Sequence, residues 1–128
     1  IYASFLRCLG FHDPRIVTRE LVELHLQSWR SAETAEVIRH SMGLMPLRLT
    51  PALDTLWNVR APTLILWAEN DRTLPLSIAE KLVFDLPMAQ LVTIPECGHF
   101  IPEEKPREMS RAILDFLAGE IADEDCAA

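Results

Sequence analysis

Two short stretches of this sequence hold side chains able to move a proton. Ala68-Glu69-Asn70-Asp71-Arg72-Thr73-Leu74-Pro75 offers carboxylates, and Pro95-Glu96-Cys97-Gly98-His99-Phe100 offers an imidazole. An Asp and a His that meet across two loops make the carboxylate–imidazole pair of nucleophilic catalysis. The carboxylate fixes the ring's tautomer and stabilises imidazolium, while the imidazole takes a proton from a nucleophile or water. Gly98, just before His99, is expected to let the backbone turn tightly and to keep the ring uncrowded. Taken singly, these residues say little. An Asp following Asn is ordinary turn chemistry, and a loop histidine is more often structural or solvated than catalytic. Only elements that bring the two loops together give the pattern weight.

Those elements are legible after Thr50. Pro62 precedes Thr63-Leu64-Ile65-Leu66-Trp67, an apolar run too short for a helix, as expected of a strand buried on both faces in a parallel sheet. Ser77-Ile78-Ala79-Glu80 reads as a capping box opening a helix that places Ile78, Leu82 and Leu86 on one side and stops at Pro87. Gln90 to Ile94 reads as a second strand, closed by Pro95. A last helix, about Pro106 to Ala118, spaces Met109, Ala112, Ile113, Phe116 and Leu117 along one face. Burying Ile113, Phe116 and Leu117 against a sheet would contribute about 1.5–3 kcal/mol each. Strand–helix–strand–helix order implies a right-handed parallel crossover, and both loops then leave the C-terminal ends of neighbouring strands, where open α/β sheets place their ligands. Two parallel strands are not a stable sheet, so one edge of the Thr63–Trp67 strand is expected to need a further strand.

Before Thr50 the period is helical. Thr18 is placed to cap a helix through about Arg30, and Ser31 to cap a second through about His40, ended by Gly43 and Pro46. Thr50-Pro51 reads as N-cap and first position of a short helix through Trp57. His12, His25 and His40 lie in or beside amphipathic segments and read as surface or cap residues.

From Asp54 to Leu117 the chain resembles the C-terminal part of the α/β-hydrolase superfamily. The residues that carry the resemblance are the strand Thr63-Leu64-Ile65-Leu66-Trp67 running through Ala68 into Glu69-Asn70-Asp71, then Leu74-Pro75, then Cys97-Gly98-His99-Phe100, and finally Glu103-Glu104-Lys105-Pro106 leading to Ile113-Leu114-Asp115-Phe116-Leu117. The resemblance implies that Asp71 is the triad acid and His99 the triad base, with Glu69 a rival acid at the wrong position of the loop. It implies residues 1–50 as a helical cap segment and 51–119 as the C-terminal core segment of a parallel α/β sheet; residues 120–128, with Glu120, Asp123, Glu124 and Asp125 and no basic residue, read from their charge as an acidic, flexible tail. It also implies a hydrolase acting on an ester or a related bond, such as a C–C bond, an epoxide or a halide, in a small apolar molecule, with no metal or organic cofactor. Leu74, Phe100 and Trp29 are the candidate substrate-pocket residues; Trp29, with Met42 and Met45, is placed to line an apolar pocket from the cap side, although ordinary packing is the favoured reading of these three.

The family's nucleophile sits on a Gly-x-Ser-x-Gly elbow, and Arg39-His40-Ser41-Met42-Gly43 has part of that pattern. Three features disfavour Ser41. The residues before it follow a helical period with a polar face, where a buried strand is required. Arg39 stands where the strained turn leaves room only for glycine. Pro46 follows Gly43 too closely for the long helix that an elbow begins. The nucleophile, Ser or Asp, and the oxyanion-hole donors are therefore expected upstream of Ile1, and the isolated chain is expected to be inactive. Cys97 lies too near His99 on one loop to serve as a thiol nucleophile and reads as a small filler. Glu96, Cys97, His99, Glu103 and Glu104 lack the ligand spacing of a metal site.

Composition narrows the alternatives. The chain has 128 residues, 12 basic against 19 acidic, for a net charge of −7, with 49% hydrophobic residues. That is an ordinary globular balance, sized for one small domain, and its acidity argues against nucleic-acid binding. No apolar run reaches membrane-spanning length. Cys8, Cys97 and Cys126 are odd in number without a CxxC pair, which fits a reducing, cytoplasmic compartment. The chain begins with Ile rather than Met, as a fragment would. The expected partners are a small-molecule substrate and either a missing N-terminal half or a partner strand at the open sheet edge. The rival reading is a non-catalytic, hydrolase-like binding module that associates through that edge.

Overall fold

The computed structural model describes residues 1–37, 39, 40 and 55–119, with the side chains of Ser28 and Trp29 outside that description. At its centre is one strand pair. β1 (Thr63–Ala68) and β2 (Ala89–Ile94) run parallel in the register Thr63↔Ala89 to Ala68↔Ile94. Helix α3 (Ser77–Asp85) makes the crossover between them. A short helix, α4 (Ile101–Glu104), leads into α5 (Pro106–Ala118), which Gly119 ends in the left-handed region at φ 73°.

The sequence-read boundaries hold here, but burial departs from expectation. Along β1 only Ile65 and Ala68 are buried, one on each face, and the other four residues are half-buried, so both faces are covered only in part. On α5 only Ala112 is buried; Ile113 is 37% exposed and Leu117 73%. A two-stranded ribbon is too narrow to cover a whole helix face, and among the described residues no other strand widens it. On α3 the buried residue is Ala79, while Ile78 lies outside. The capping box does not form. Leu76 already has helical dihedrals (φ −54°, ψ −30°), and Ile78 N–H bonds to the Pro75 carbonyl, so Ser77 sits inside the first turn. A serine caps only from an extended backbone.

Before the sheet, α1 (Tyr2–Phe5) continues into a π-helical turn over Leu6–Gly10, and a 3-10 turn over Pro14–Ile16 precedes α2 (Arg19–Trp29). Thr18 caps α2, its Oγ1 accepting from Leu21 N–H at 3.2 Å. Ser31 caps a helical stretch over residues 32–37, accepting from Thr34 N–H at 3.0 Å. The short helix read at Thr50–Trp57 has its start outside the described residues; what is described is a single 3-10 turn, Leu56–Asn58. Ser41, Met42, Met45 and residues 120–128 also lie outside the description.

Among the described residues two small cores result. Ala68, Ile94 and Cys97 pack with Val92 and Ile101 beneath the ends of the strands. Leu6, Phe11 and Val17 form the other core, and Phe100 packs against it from the histidine loop. The segment Gly10–Asp13 therefore lies directly on that loop. A Cβ built at Gly98 would fall 2.6 Å from both the Gly10 carbonyl oxygen and the His12 nitrogen, with Phe11 carbonyl carbon at 2.8 Å. All three are backbone atoms, which cannot yield by changing rotamer. Gly98→Ala is expected to cost about 1–3 kcal/mol, in the manner of an overpacked core. A lowered urea midpoint at unchanged m-value measures that loss; an unchanged midpoint would mean the segment does not rest on the loop.

Candidate active site

Parallel pairing carries the two chemistry-bearing loops to one end of the sheet, and the ladder runs on into them. Glu69 N–H donates to the Ile94 carbonyl at 3.0 Å, and Asn70 N–H to the Cys97 carbonyl at 3.0 Å. Just beyond, the Asp71 Oδ2 lies 2.8 Å from the His99 Nδ1. The two oxygens of Asp71 divide two tasks. Oδ1 accepts from Thr73 N–H at 2.7 Å and Leu74 N–H at 2.9 Å, closing the turn, while Oδ2 faces the imidazole. Turn chemistry and pairing are thus met by the same residue. The carboxylate is nearly buried (6% of its side chain exposed), and the imidazole is about a third exposed, at 34%.

This geometry fixes a tautomer. A carboxylate can only accept, so Nδ1 carries the proton and the neutral ring presents Nε2 as a lone-pair acceptor. Glu69, the rival carboxylate, is exposed and does not meet the ring. Of the candidate pocket residues, Leu74 is at the surface (36% exposed) with its carbonyl accepting from Trp67 Nε1 at 3.2 Å. Phe100 is committed to packing. Its ring stacks on Phe11 at 5.2 Å and meets His25 and His99 edge-on at 5.2 and 5.4 Å. The side chain of Trp29 lies outside the described residues.

Several residues carry more than the sequence reading gave them. His25 is not a surface residue: only 12% of its side chain is exposed, and it stands between the Tyr2 hydroxyl at 3.0 Å and the Glu103 carboxylate at 3.5 Å. Burial first, and then the Glu103 charge, push the Tyr2 phenol above its usual range. His12 likewise has its Nδ1 buried. Gly98 is needed for space rather than for its dihedrals, because the left-handed turn of this loop is made by Glu96, at φ 49°. The acidic loop also reaches the N-terminal segment, where Arg72 donates to the Cys8 carbonyl at 3.2 Å and Thr73 Oγ1 to that of Leu9 at 3.4 Å. No signal in residues 1–17 pointed to that contact, since the turn has no apolar period of its own.

Among the described residues, no three His, Cys, Asp or Glu side chains gather as metal ligands. Glu103 faces His25, and Glu104 accepts from backbone N–H groups. No described helix is long and apolar enough to cross a membrane.

A crossover unit whose strand ends hold an Asp–His pair defines a class of protein, and comparison with known families gives the same class. Residues 15–106 match the model of the α/β hydrolase fold. The chain belongs to the α/β-hydrolase family. It is 34% identical over 109 residues to a 2-hydroxy-6-oxo-6-phenylhexa-2,4-dienoate hydrolase of Burkholderia cepacia, covering 83% of this chain and 37% of that protein. It is 30% identical over 110 residues to the hydrolase YugF of Bacillus subtilis, covering 83% of this chain and 38% of that one. Among solved structures, the 2-hydroxy-6-oxo-6-phenylhexa-2,4-dienoate hydrolase of a Rhodococcus species superposes with a TM-score of 0.70 at 25% identity, over 91% of this chain and 43% of that chain. The chain therefore spans less than two-fifths of the length of these curated relatives.

Cys97, beside the pair, is fully buried, and burial foremost, with the nearby Glu104 carboxylate next, pushes its thiol up to about 11. A thiol so raised is protonated and inert at neutral pH. Iodoacetamide at pH 8 is expected to modify the exposed Cys8 and spare Cys97 until denaturant is added, as read by peptide mass spectrometry. Because the unfolded thiol loses its proton first, stability should also fall as pH rises from the ordinary thiol range toward about 11.

Proposed function

We propose that this chain supplies the acid and base of an α/β-hydrolase that cleaves a C–C or ester bond in a small, largely apolar molecule. The observation that carries the reading is the 2.8 Å contact between Asp71 Oδ2 and His99 Nδ1, with the other Asp71 oxygen held by two backbone N–H groups. His99 acts as general base through Nε2, taking a proton from a hydroxyl nucleophile or a water and returning it to the leaving group. Asp71 holds the ring and stabilises the imidazolium that forms. The meta-cleavage product hydrolases among the relatives favour an acidic dienoate cleaved at carbon. The nucleophile belongs to polypeptide outside these 128 residues, as relatives more than twice as long imply. Polypeptide of that kind would pair along the outer edge of β1, and residues 1–50 would contribute to a cap over the site. Without it the chain alone turns nothing over.

The test uses the intact protein with a chromogenic short-chain ester and a meta-cleavage dienoate. His99→Ala and Asp71→Asn are each expected to lower kcat by about 10³–10⁴-fold with the fold retained, whereas Ser41→Ala is expected to leave turnover in place. Near-normal hydrolysis by His99→Ala would refute the assigned base, and activity abolished in Ser41→Ala would place the nucleophile in this chain.

A further inference from the structure

The histidine loop has an anchor that neither the pairing nor the sheet explains. The Glu104 carboxylate accepts three backbone hydrogen bonds from two segments, one of them distant in sequence. Its Oε2 accepts from Gly98 N–H at 2.7 Å and from His12 N–H at 3.1 Å; its Oε1 accepts from Asp13 N–H at 2.7 Å. The sequence separations are 6, 92 and 91 residues, so one side chain ties the catalytic loop to the start of the chain. Hydrogen bonds to an ionised acceptor are shorter and roughly twice as strong as neutral ones.

The tie lies where it can set the aim of the imidazole. His99 is flanked by two residues whose backbones are both fixed to the same segment. On one side is Gly98, held by Glu104 against Gly10–His12 with no room for a side chain. On the other is Phe100, whose N–H donates to the Gly10 carbonyl at 3.4 Å and whose ring stacks on Phe11. His99 alone projects away from this contact, toward Asp71. The acidic loop is tied to the same segment through the Cys8 and Leu9 carbonyls, so both members of the pair are set against one piece of backbone.

We propose that Glu104 is a positioning residue for His99, clamping the Gly98 amide to the His12–Asp13 turn and so fixing the orientation in which the imidazole meets Asp71. This rests on the reading of Asp71 and His99 as the working pair. The carboxylate contacts no reacting atom; it acts through the backbone. A displacement of about 1 Å at a catalytic group can cost about 10²-fold in rate, which is the scale expected here.

The experiment compares Glu104→Gln, Asp71→Asn and, as a control on an exposed carboxylate of α5, Glu108→Gln in the intact protein. It measures kcat and KM on p-nitrophenyl acetate and, at fixed pH, the ¹⁵N chemical shifts of the His99 ring nitrogens, which report the tautomer. Glu104→Gln keeps the side chain's size but turns one accepting oxygen into a donor facing an N–H. It is expected to lower kcat about 10²-fold with KM nearly unchanged, to move the His99 ring ¹⁵N shifts toward those of Asp71→Asn, and to speed amide exchange at Gly98, His12 and Asp13. Glu108→Gln should match the wild type. A folded Glu104→Gln with wild-type kcat and wild-type His99 ring shifts overturns the proposal. If Asp71→Asn also leaves both unchanged, the pair itself is misassigned; if Asp71→Asn changes them and Glu104→Gln does not, only the role of Glu104 fails. Should Glu104→Gln not fold, Glu104→Asp, with its charge on a shorter arm, replaces it. In the wild type, scalar coupling across the hydrogen bonds from Gly98, His12 and Asp13 amides to the Glu104 carboxyl carbon is expected, and its absence also overturns the proposal.

Discussion

The parallel register of β1 and β2 is the constraint from which the site follows. Each strand has six residues, and Ala68 stands opposite Ile94 at the end where both strands leave the sheet. Neighbouring strands lie about 4.8 Å apart, whereas six residues of strand rise about 20 Å. An antiparallel pair would have sent the acidic loop and the histidine loop to opposite ends, beyond the reach of any side chain. Parallel pairing leaves only a few ångströms to close. Asp71, three residues past its strand, and His99, five past its own, close them with a hydrogen bond. The cost of this arrangement is a crossover connection, which α3 supplies with a buried Ala79 as its point of closest packing.

Strand ends alone would leave two loops free to move relative to each other. The N-terminal turn Cys8–Asp13 removes that freedom by meeting both loops with its own backbone, through carbonyls toward Arg72, Thr73 and Phe100 and through amides toward Glu104. The burial of Leu6, Phe11 and Val17 holds the turn in place. Apolar packing thus supplies the energy and backbone hydrogen bonds the direction. The packing is non-directional and would tolerate a shifted loop; the hydrogen bonds would not, because buried N–H groups left unpaired cost about 1–3 kcal/mol each.

What the sequence disclosed follows the range of the forces involved. The strands, the crossover helix and α5 rest on local periodicity, and their boundaries were legible to within a residue or so. The order of Asp71 and His99 along the chain, together with the family resemblance, was enough to pair them. Burial was less legible, as Ile113 and Leu117 show. An apolar stripe states what a helix face would gain by being covered, not whether a neighbour is wide enough to cover it. The Ser77 box failed for a related reason, since the dihedrals of Leu76 are set by the turn from Pro75 rather than by the serine. Gly98 was rightly singled out, but for the wrong property. Its role depends on a segment nearly 90 residues away, and no local pattern encodes that approach. His25, read as a surface or cap residue, was misplaced for the same reason: its partners, Tyr2 and Glu103, come from opposite ends of the chain.

Cys97 illustrates how the site keeps its charge arrangement simple. It lies two residues before His99, in the core beneath the strand ends, where an ionised thiol would add a further negative charge to those of Asp71 and Glu104. Both carboxylates oppose that ionisation, and burial opposes it more strongly still. The consequence is reciprocal: a group kept neutral by its neighbours' charges does not disturb those charges in return. The Asp71 carboxylate then acts on His99 with no thiolate beside it, and the Glu104 carboxylate is left to the three amides that it holds. A serine in this position would fill the space with a hydroxyl in need of a partner, and a larger apolar side chain would press on the Gly98 backbone. The small, weakly polar thiol meets both restrictions.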